Sequence, residues 1–568
     1  MTFQELSNRL VQLDETASRL KMTEFLVDLI KQSNEEEIEM VINLVLGRLA
    51  PNYENIEFNL AEKMVMRTIA GWLEIDQEKV LVEYKRLGDL GEVIKEMGQK
   101  KEPVTRHNVT FVFEALKVIA NESGTGSQEK KMGLLTELLK DLSDTERKYV
   151  VRMVLGKLRL GFSDKTVLDA LSVVSSGDKG ERKLLDAAYQ IRPDVATIAG
   201  IVKKSGVDAL KNIDVKVGIP VIPALCQRLN SAEEIIEKMG EVGVERKFDG
   251  TRVQIHYQQT AVGGQQSVKT FTRNLEESSL MFPELFRMEK YVNAKSLVLD
   301  CEAVGYDPET KKILSFQITI TRKRKHDVAE TASKVPLRFY VFDVLEVDGE
   351  TVINKSYEER RKILTEVITK NDVLVIDEVI KTDDPVKLHQ THEKFLKEGY
   401  EGAVIKKWDG TYLPGRQGWN WVKIKESEGT SGKLKDTLDC VVMGYYRGRG
   451  KRAGFGVGAF LVGVRKGEEF LTIAKIGTGI SDEKFRDLKI RLDALTCKDQ
   501  PKEYVIDKAL KPDVYVLPKL VVEIAADELT NSPTHTAGLA LRFPRLIKFR
   551  DDKDLDGVTG LGELSSFR

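Results

Sequence analysis

Residues 243–252, GVERKFDGTR, set Lys247 between Glu245 and Asp249, with Gly250 and Arg252 just beyond. Read as a strand running into a tight turn, the stretch alternates. Val244, Arg246 and Phe248 share one face, and Glu245, Lys247 and Asp249 the other. Taken singly, that is an ordinary half-solvated strand. Four more segments repeat the pattern. In SLVLDCEAVGY, Glu302 shares a face with Asp300 and Val298; in FYVFDVL, Phe342 lies with Tyr340, opposite Asp343. EGAVIK presents Glu401 and Lys406 near its ends, and in NWVKIKE Trp421, Lys423 and Lys425 share a face.

The residue types suggest the chemistry. Arg252, Arg273, Lys423 and Lys425 form a set suited to clamping a polyphosphate, and Phe342 to stacking a base. Glu302 and Glu401 suit Mg²⁺, which takes one or two carboxylates and keeps several waters. Lys247 would then be a nucleophile on phosphorus, because a phosphoramidate stays activated and passes its group onward. An ordinary lysine must first lose a proton, at a cost of about 4.6 kcal/mol at pH 7. Neighbouring cations and a bound metal would reduce that cost. No GxxxxGK[ST] loop occurs: GTSGKL (429–434) ends in the wrong residue, and GFGVG (454–458) is too weak for a dinucleotide fingerprint.

These residues need a scaffold to bring them together. A chain of 568 residues with 41% hydrophobic content is long enough for three or four domains with real cores. The first ~215 residues read as helical, with helix-like apolar spacing in LSNRLVQLDETASRLKMTEFLVDLI, EEEIEMVINLVLGRL and MGLLTELLKDL. After VGIPVIPAL (217–225), whose prolines suit a linker, strand-like runs alternate with helices such as SYEERRKILTEVI, giving an α+β domain. A polar Gly/Ser stretch, ESEGTSGKLKDT (426–437), opens a last segment. Five β-rich runs, LDCVVMGYY, GAFLVGVRK, EEFLTIAKI, KLVVEIAA and RLIKFR, fit a small oligonucleotide-binding (OB) β-barrel there. The expected domains are therefore 1–215, 216–425 and 426–568.

Net charge is −1, so a polyanion partner must be met by local patches rather than excess charge. Four scattered cysteines without a CxxC argue against a disulfide framework or a structural zinc. His389 and His392 share a helical face that reads as solvated. No apolar run approaches the ~20 residues that span a membrane, and the amphipathic N-terminus is unlike a secretion signal, so a cytoplasmic protein is expected.

KFDGTR matches the nucleotidyltransferase signature K-x-D-G-x-R. Followed in order by FTRN, LDCEAVGYD, FYVFDVL, EGAVIKKWDG, WVKIK and ALRFPRLIKFRDDK, it closely resembles the ATP-dependent DNA ligases of archaea and the eukaryotic replicative type. RKYVVRMVLGKLRLGF (147–162) resembles their helical DNA-binding domain, and LDCVVMGYYRGRGKRAG and IAKIGTGISDE their OB-fold domain.

The resemblance implies that Lys247 takes AMP from ATP, with Mg²⁺ or Mn²⁺, and passes it to the 5′-phosphate of nicked double-stranded DNA. The 3′-hydroxyl then displaces AMP. The family roles would place Glu245 and Phe342 at the adenine, and Arg252 and Arg273 at ribose and phosphates. Glu302 would lie at ribose or metal, Glu401 at the metal, and Lys423 and Lys425 at the α-phosphate. Arg542, and more loosely Lys548 and Arg550, would orient pyrophosphate from the last domain. That division of labour requires the last domain to move between steps. DNA would be held by its backbone, with Lys157 and Arg159, and Arg447, Arg449, Lys451 and Arg452, as the best patches; each reads equally as a solvated loop. TRKRKH (321–326) is read only as a basic loop.

Two departures stand out. The family usually has an arginine just before G-W, where this chain has Gln417, with Arg416 one residue earlier as the substitute. A sliding clamp is a common partner in the family, but QKKEPVTRHN (99–108) lacks the usual aromatics, leaving that contact open. TAVGGQQS (260–267) reads as a lengthened hairpin. A monomer in replication, repair and recombination is the expectation. The rivals are an NAD-dependent ligase, which would carry a four-cysteine zinc site, a capping or RNA-ligating enzyme, which would lack the helical domain, and a silent DNA-binding protein, which would not need Lys247.

Overall fold

The computed structural model describes residues 1–98, 106–158, 160–229, 231–259, 266–322, 328–425, 437–448, 456–477, 480, 482–526 and 528–565. The chain divides into two compact units, Met1–Met64 with Glu102–Lys425, and Val65–Lys101 with Glu426–Arg568. Among the described residues, no helix is long and apolar enough to cross a membrane.

From Phe3 to Ser205 the regular elements are helices. The first long apolar pattern breaks at 16–18, where Ser18 caps Arg19–Gln32 by accepting from the Lys21 amide. The Asp144–Val154 helix is buried from Glu146 onward although it carries three cations. Its burial is possible because each cation finds a polar or acidic partner inside. Arg147 donates to Leu139 O at 2.8 Å, and Lys148 and Arg152 reach Asp14 at 3.2 and 2.8 Å.

Two sheets follow. One has five strands in the order Gln227–Arg228, Trp421–Lys425, Gly402–Lys407, Val242–Arg246, Ile380–Thr382. Helices Ala232–Met239 and Pro385–Lys397 pack against it. In the second helix His389 is exposed but His392 is buried, correcting the solvated reading; it lies on the face of Leu388 and Phe395 that enters the core. The other sheet runs Gln266–Thr272, Thr251–Gln259, Ser296–Gly305, Leu337–Val347, Glu350–Thr351. Ser296–Gly305 is buried at every residue except Glu302, which is half-buried. The Gln259–Gln266 pairing closes the hairpin foreseen at 260–267, whose tip lies outside the described residues. Arg322 is no loop cation: it is buried and donates to Glu284 at 3.0 Å, and 323–326 lie outside the described residues.

The linker before the first sheet is strapped down rather than loose. Val215 N donates to Thr351 Oγ1 (3.0 Å), Gly218 N to His256 Nδ1 (3.1 Å), Val221 N to Gln254 Oε1 (2.8 Å) and Ala224 N to the Tyr412 hydroxyl (3.0 Å). His256 is fully buried and its Nε2 meets Gln254 Oε1, so charging the ring would cost the bond from Gly218. Burial first, and then the Lys269 charge, push its pKa down from 6.5 to about 3. A depressed histidine gives stability that is full above pH 6.5 and is lost as pH falls toward 3. Between about pH 7.5 and 5 the loss is about 2 kcal/mol. Thermal melts of His256→Gln should show a shallower acid-side loss than the parent, by about 5 °C over that range.

In the second unit the expected five strands are present as Leu438–Tyr446, Ala459–Lys466, Glu469–Ile476, Val521–Ala525 and Arg545–Phe549. They pair in the order third, second, first, fourth, fifth; the short strands Tyr504–Val505 and Val514–Val516 join the third and the first. A bulge between Val442 and Gly444 lets the first strand bend. A core including Phe460, Val462, Ile473, Leu488 and Val522 lies against them.

Candidate active site

A cavity of about 430 Å³ is lined by both sheets of the first unit, and Lys247 is on its wall. The strand ladder continues past Arg246: Lys247 N donates to Gly402 O (3.0 Å) and Glu401 N to Lys247 O (3.1 Å). Lys247 and Glu401 are thus held side by side, and the ammonium is ion-paired to the carboxylate. The group touching Lys247 is therefore an acid rather than one of the cations expected around it.

The turn after Lys247 carries the chain from one sheet into the other. A Cβ on Gly250 would lie 2.5 Å from Ala303 O, so the turn closes this tightly only with glycine. The next strand then sets Arg252 opposite Glu302. Arg252 binds Asp300 through two parallel bonds, 3.0 and 2.6 Å, and donates to Ala224 O at 2.6 Å. The Tyr412 hydroxyl also donates to Asp300, at 2.7 Å. Arg252 thus faces the cavity as a braced wall. Burial pushes the Glu302 carboxyl up to about 7, against the opposing pull of Arg252 and Lys247.

Phe342 is the extra residue of a bulge, since Asp300 pairs with Asp343 but Cys301 with Val341. Its ring lines the cavity with that of Tyr340, two residues before it, and lies 5.8 Å from Trp421. Behind it, Glu245 is buried, accepts from the Tyr357 hydroxyl and is ion-paired at 2.9 Å to Lys406, which donates to Phe342 O at 2.6 Å.

Arg273, Arg416 and Lys423 line the cavity. Lys425 ends its strand opposite Gly402, and its side chain lies outside the description. Gln417 instead donates to Gln190 Oε1 (2.9 Å) and Pro414 O (3.0 Å), so of the neighbouring pair it is Arg416 that reaches the cavity.

The DNA-contact expectations fare unevenly. Lys157 is ion-paired to Glu62, and Arg159, Arg449, Lys451 and Arg452 lie outside the described residues. Arg447 is exposed. In the second unit Arg542 and Lys548 are both exposed; Lys548 pairs with Glu523 (3.4 Å), and Arg550 with Asp439 (2.9 Å) and Asp552 (2.7 Å). Sequence reasoning missed Tyr357, Tyr412 and the bracing role of Asp300. Asp300 could have been found from its face shared with Glu302; the tyrosines carry no local signal.

A lysine and two acids set among cations around a nucleotide-sized cavity define, with this fold, a nucleotidyltransferase. Three family models match in chain order: DNA ligase N terminus over 2–172, ATP dependent DNA ligase domain over 223–425, and ATP dependent DNA ligase C terminal region over 453–553. A "Probable DNA ligase" of Dictyoglomus turgidum is 41% identical, across 99% of this chain and 97% of that one. A "DNA ligase" of Staphylothermus marinus is 36% identical over 99% and 98%. The solved structure Pmar-Lig_PreS3 shares the fold, with TM-score 0.52 at 18% identity over 96% of this chain and 99% of that one. The chain belongs to the ATP-dependent DNA ligase family. It is an enzyme that uses ATP to seal nicks in DNA through an adenylated intermediate.

Proposed function

We propose that Lys247 is the residue that carries the adenylate. The observation behind this is its pairing with Glu401 on the wall of a cavity that also presents Phe342, Lys423, Arg273 and Arg416. As an ammonium it has no lone pair, so the amine becomes nucleophilic only after giving up its proton and leaving Glu401. Its nitrogen then bonds to the α-phosphorus as the bond to the pyrophosphate oxygen breaks. Transfer to the 5′-phosphate of a nick breaks the P–N bond, and attack by the 3′-hydroxyl releases AMP. Glu245 receives the adenine amino group, Phe342 stacks the base, and Arg252, itself fixed by Asp300, borders the ribose. Arg273, Arg416, Lys423 and Lys425 hold phosphates.

The acids fit Mg²⁺ in a particular way. Among the described residues no cluster of three or more His, Cys, Asp or Glu could hold a metal. Glu302 and Glu401 would therefore share the ion with phosphate oxygens and water, as Mg²⁺ prefers. A metal held there would supply positive charge against the phosphates, and Glu401 would hold it only after leaving Lys247.

The sheet order of the last segment supports an OB barrel, with Arg542 completing the first step and Arg447 among the DNA contacts. Domains at 1–215, 216–425 and 426–568, a monomeric state and cytoplasmic work in replication, repair and recombination complete the reading. The sliding clamp stays open, since 99–105 lie outside the described residues.

Label from α-phosphate-labelled ATP should appear on the protein and be discharged by a nicked duplex; label that stays when the nick is added would overturn the reading. A second test separates the neighbours Arg416 and Gln417. Arg416→Ala should lower kcat/KM for self-adenylation at least ~10-fold, since a charge-assisted phosphate contact is lost. Gln417→Ala should change it less than ~2-fold, because its bonds are to Gln190 and Pro414. Single-turnover labelling across ATP concentrations reads both.

A further inference from the structure

We infer that Tyr357, in the Tyr357–Val367 helix and 112 residues from Glu245 in sequence, sets this ligase's choice of 6-amino over 6-oxo purine triphosphates by fixing Glu245. The inference rests on the proposed contact between Glu245 and the base. Its grounds are in the surroundings of that carboxylate. Glu245 is 3% exposed and borders the cavity. One oxygen accepts from the Tyr357 hydroxyl and has Arg361 at 3.8 Å; the other is ion-paired to Lys406 at 2.9 Å.

Each of these three partners is thus a donor or a cation. A carboxylate offers about four acceptor positions, so acceptor capacity remains for a ligand donor. A 6-amino group supplies one. A 6-oxo group would place an acceptor against an acceptor, with no proton between them.

Tyr357 suits this role because its own state is fixed. It is 1% exposed, and burial first, then the Glu245 charge, raise its pKa well above 10, so it remains an O–H donor. The helix start is pinned by a capping box, Ser356 with Glu359, and the ring packs edge-on to Trp408 at 5.7 Å. Lys406 alone does not fix the carboxylate's rotation, because it anchors a single oxygen. The hydroxyl anchors the second.

Tyr357 is therefore a positioning residue, and Tyr357→Phe keeps its ring. Self-adenylation should be measured with ATP and with inosine triphosphate. The ATP:ITP ratio of kcat/KM should fall about 10-fold or more in Tyr357→Phe, mostly through KM for ATP. Trp408→Phe, which alters packing on the same ring without touching Glu245, should leave the ratio within about 2-fold. An unchanged ratio in Tyr357→Phe overturns the inference while Glu245→Gln still lowers it. If Glu245→Gln also leaves the ratio unchanged, the base does not sit at Glu245, and the underlying reading fails instead. An equal loss in Trp408→Phe assigns the effect to helix packing and also overturns it.

Discussion

Lys247→Ala will take no label from α-phosphate-labelled ATP, and overall sealing will fall by at least ~10⁴-fold, because no other group replaces a covalent nucleophile. The neighbouring lysines do not substitute. Lys406 is 0% exposed and held by Glu245 and Phe342 O, and Lys423 is anchored two strands away from Val242–Arg246. The loss should be selective. Joining at a nick whose 5′ end is already adenylated forms only the bond from the 3′-hydroxyl and needs no amine, so that step should survive in Lys247→Ala. Lys247→Arg should fail to label as well, since a guanidinium holds its proton through the physiological range. Two measurements check this: label retained on the denatured protein, and sealing of a pre-adenylated nick by the same preparation. Labelling of Lys247→Ala at the parent's level would remove Lys247 from the chemistry. Loss of both activities together would point to a collapsed cavity rather than a missing nucleophile.

Much of this site was legible from strand alternation. Glu245, Lys247, Glu302, Phe342 and Lys423 all meet one cavity, because period-two alternation sends alternate side chains to the same face once a strand's pairing is fixed. The five strands of the last segment were equally plain, each a run of apolar residues rich in β-branched or aromatic side chains. Features that depend on pairing between distant segments were not legible. The bulge that sets Asp343 opposite Asp300 needs the register of two strands, and the Arg252–Asp300–Tyr412–Ala224 ring joins four separate stretches. The charge around Lys247 was misjudged for the same reason. The cations were visible, but only the backbone ladder between Lys247 and Glu401 reveals that an acid touches the amine. Basic motifs were the least informative. Lys157 and Arg322 are both paired with acids, and Arg147, Lys148 and Arg152 serve the helical core.

Asp343→Ala will destabilise the first unit by about 3–5 kcal/mol, the range for removing one partner of a buried ion pair. Asp343 is fully buried on the Leu337–Val347 strand and binds Arg360 at 2.7 and 3.2 Å, with Lys406 3.7 Å away. Arg360 is equally buried; it lies one helical turn after Tyr357, so the pair clamps that helix against the sheet. Without the acid, Lys406 keeps Glu245 at 2.9 Å, but Arg360 is left with the backbone carbonyls of Lys355 and Gly410 and no acid among the described residues. Thermal melts should place the midpoint of Asp343→Ala about 10 °C below the parent. Replacing both partners, Asp343→Leu with Arg360→Met, should recover most of that loss, because no unpaired charge is then buried. The pH dependence gives a second reading. Burial alone would raise the Asp343 pKa, but Arg360 and Lys406 outweigh it and hold the carboxyl below its ordinary 3.8. A depressed acid contributes its stability fully above the unfolded value and loses it as pH falls. The gap between parent and Asp343→Ala should therefore be complete at pH 7 and narrow only below about pH 4. A gap that already narrows between pH 7 and 5 would mean that Asp343 is not held ionised by its partners.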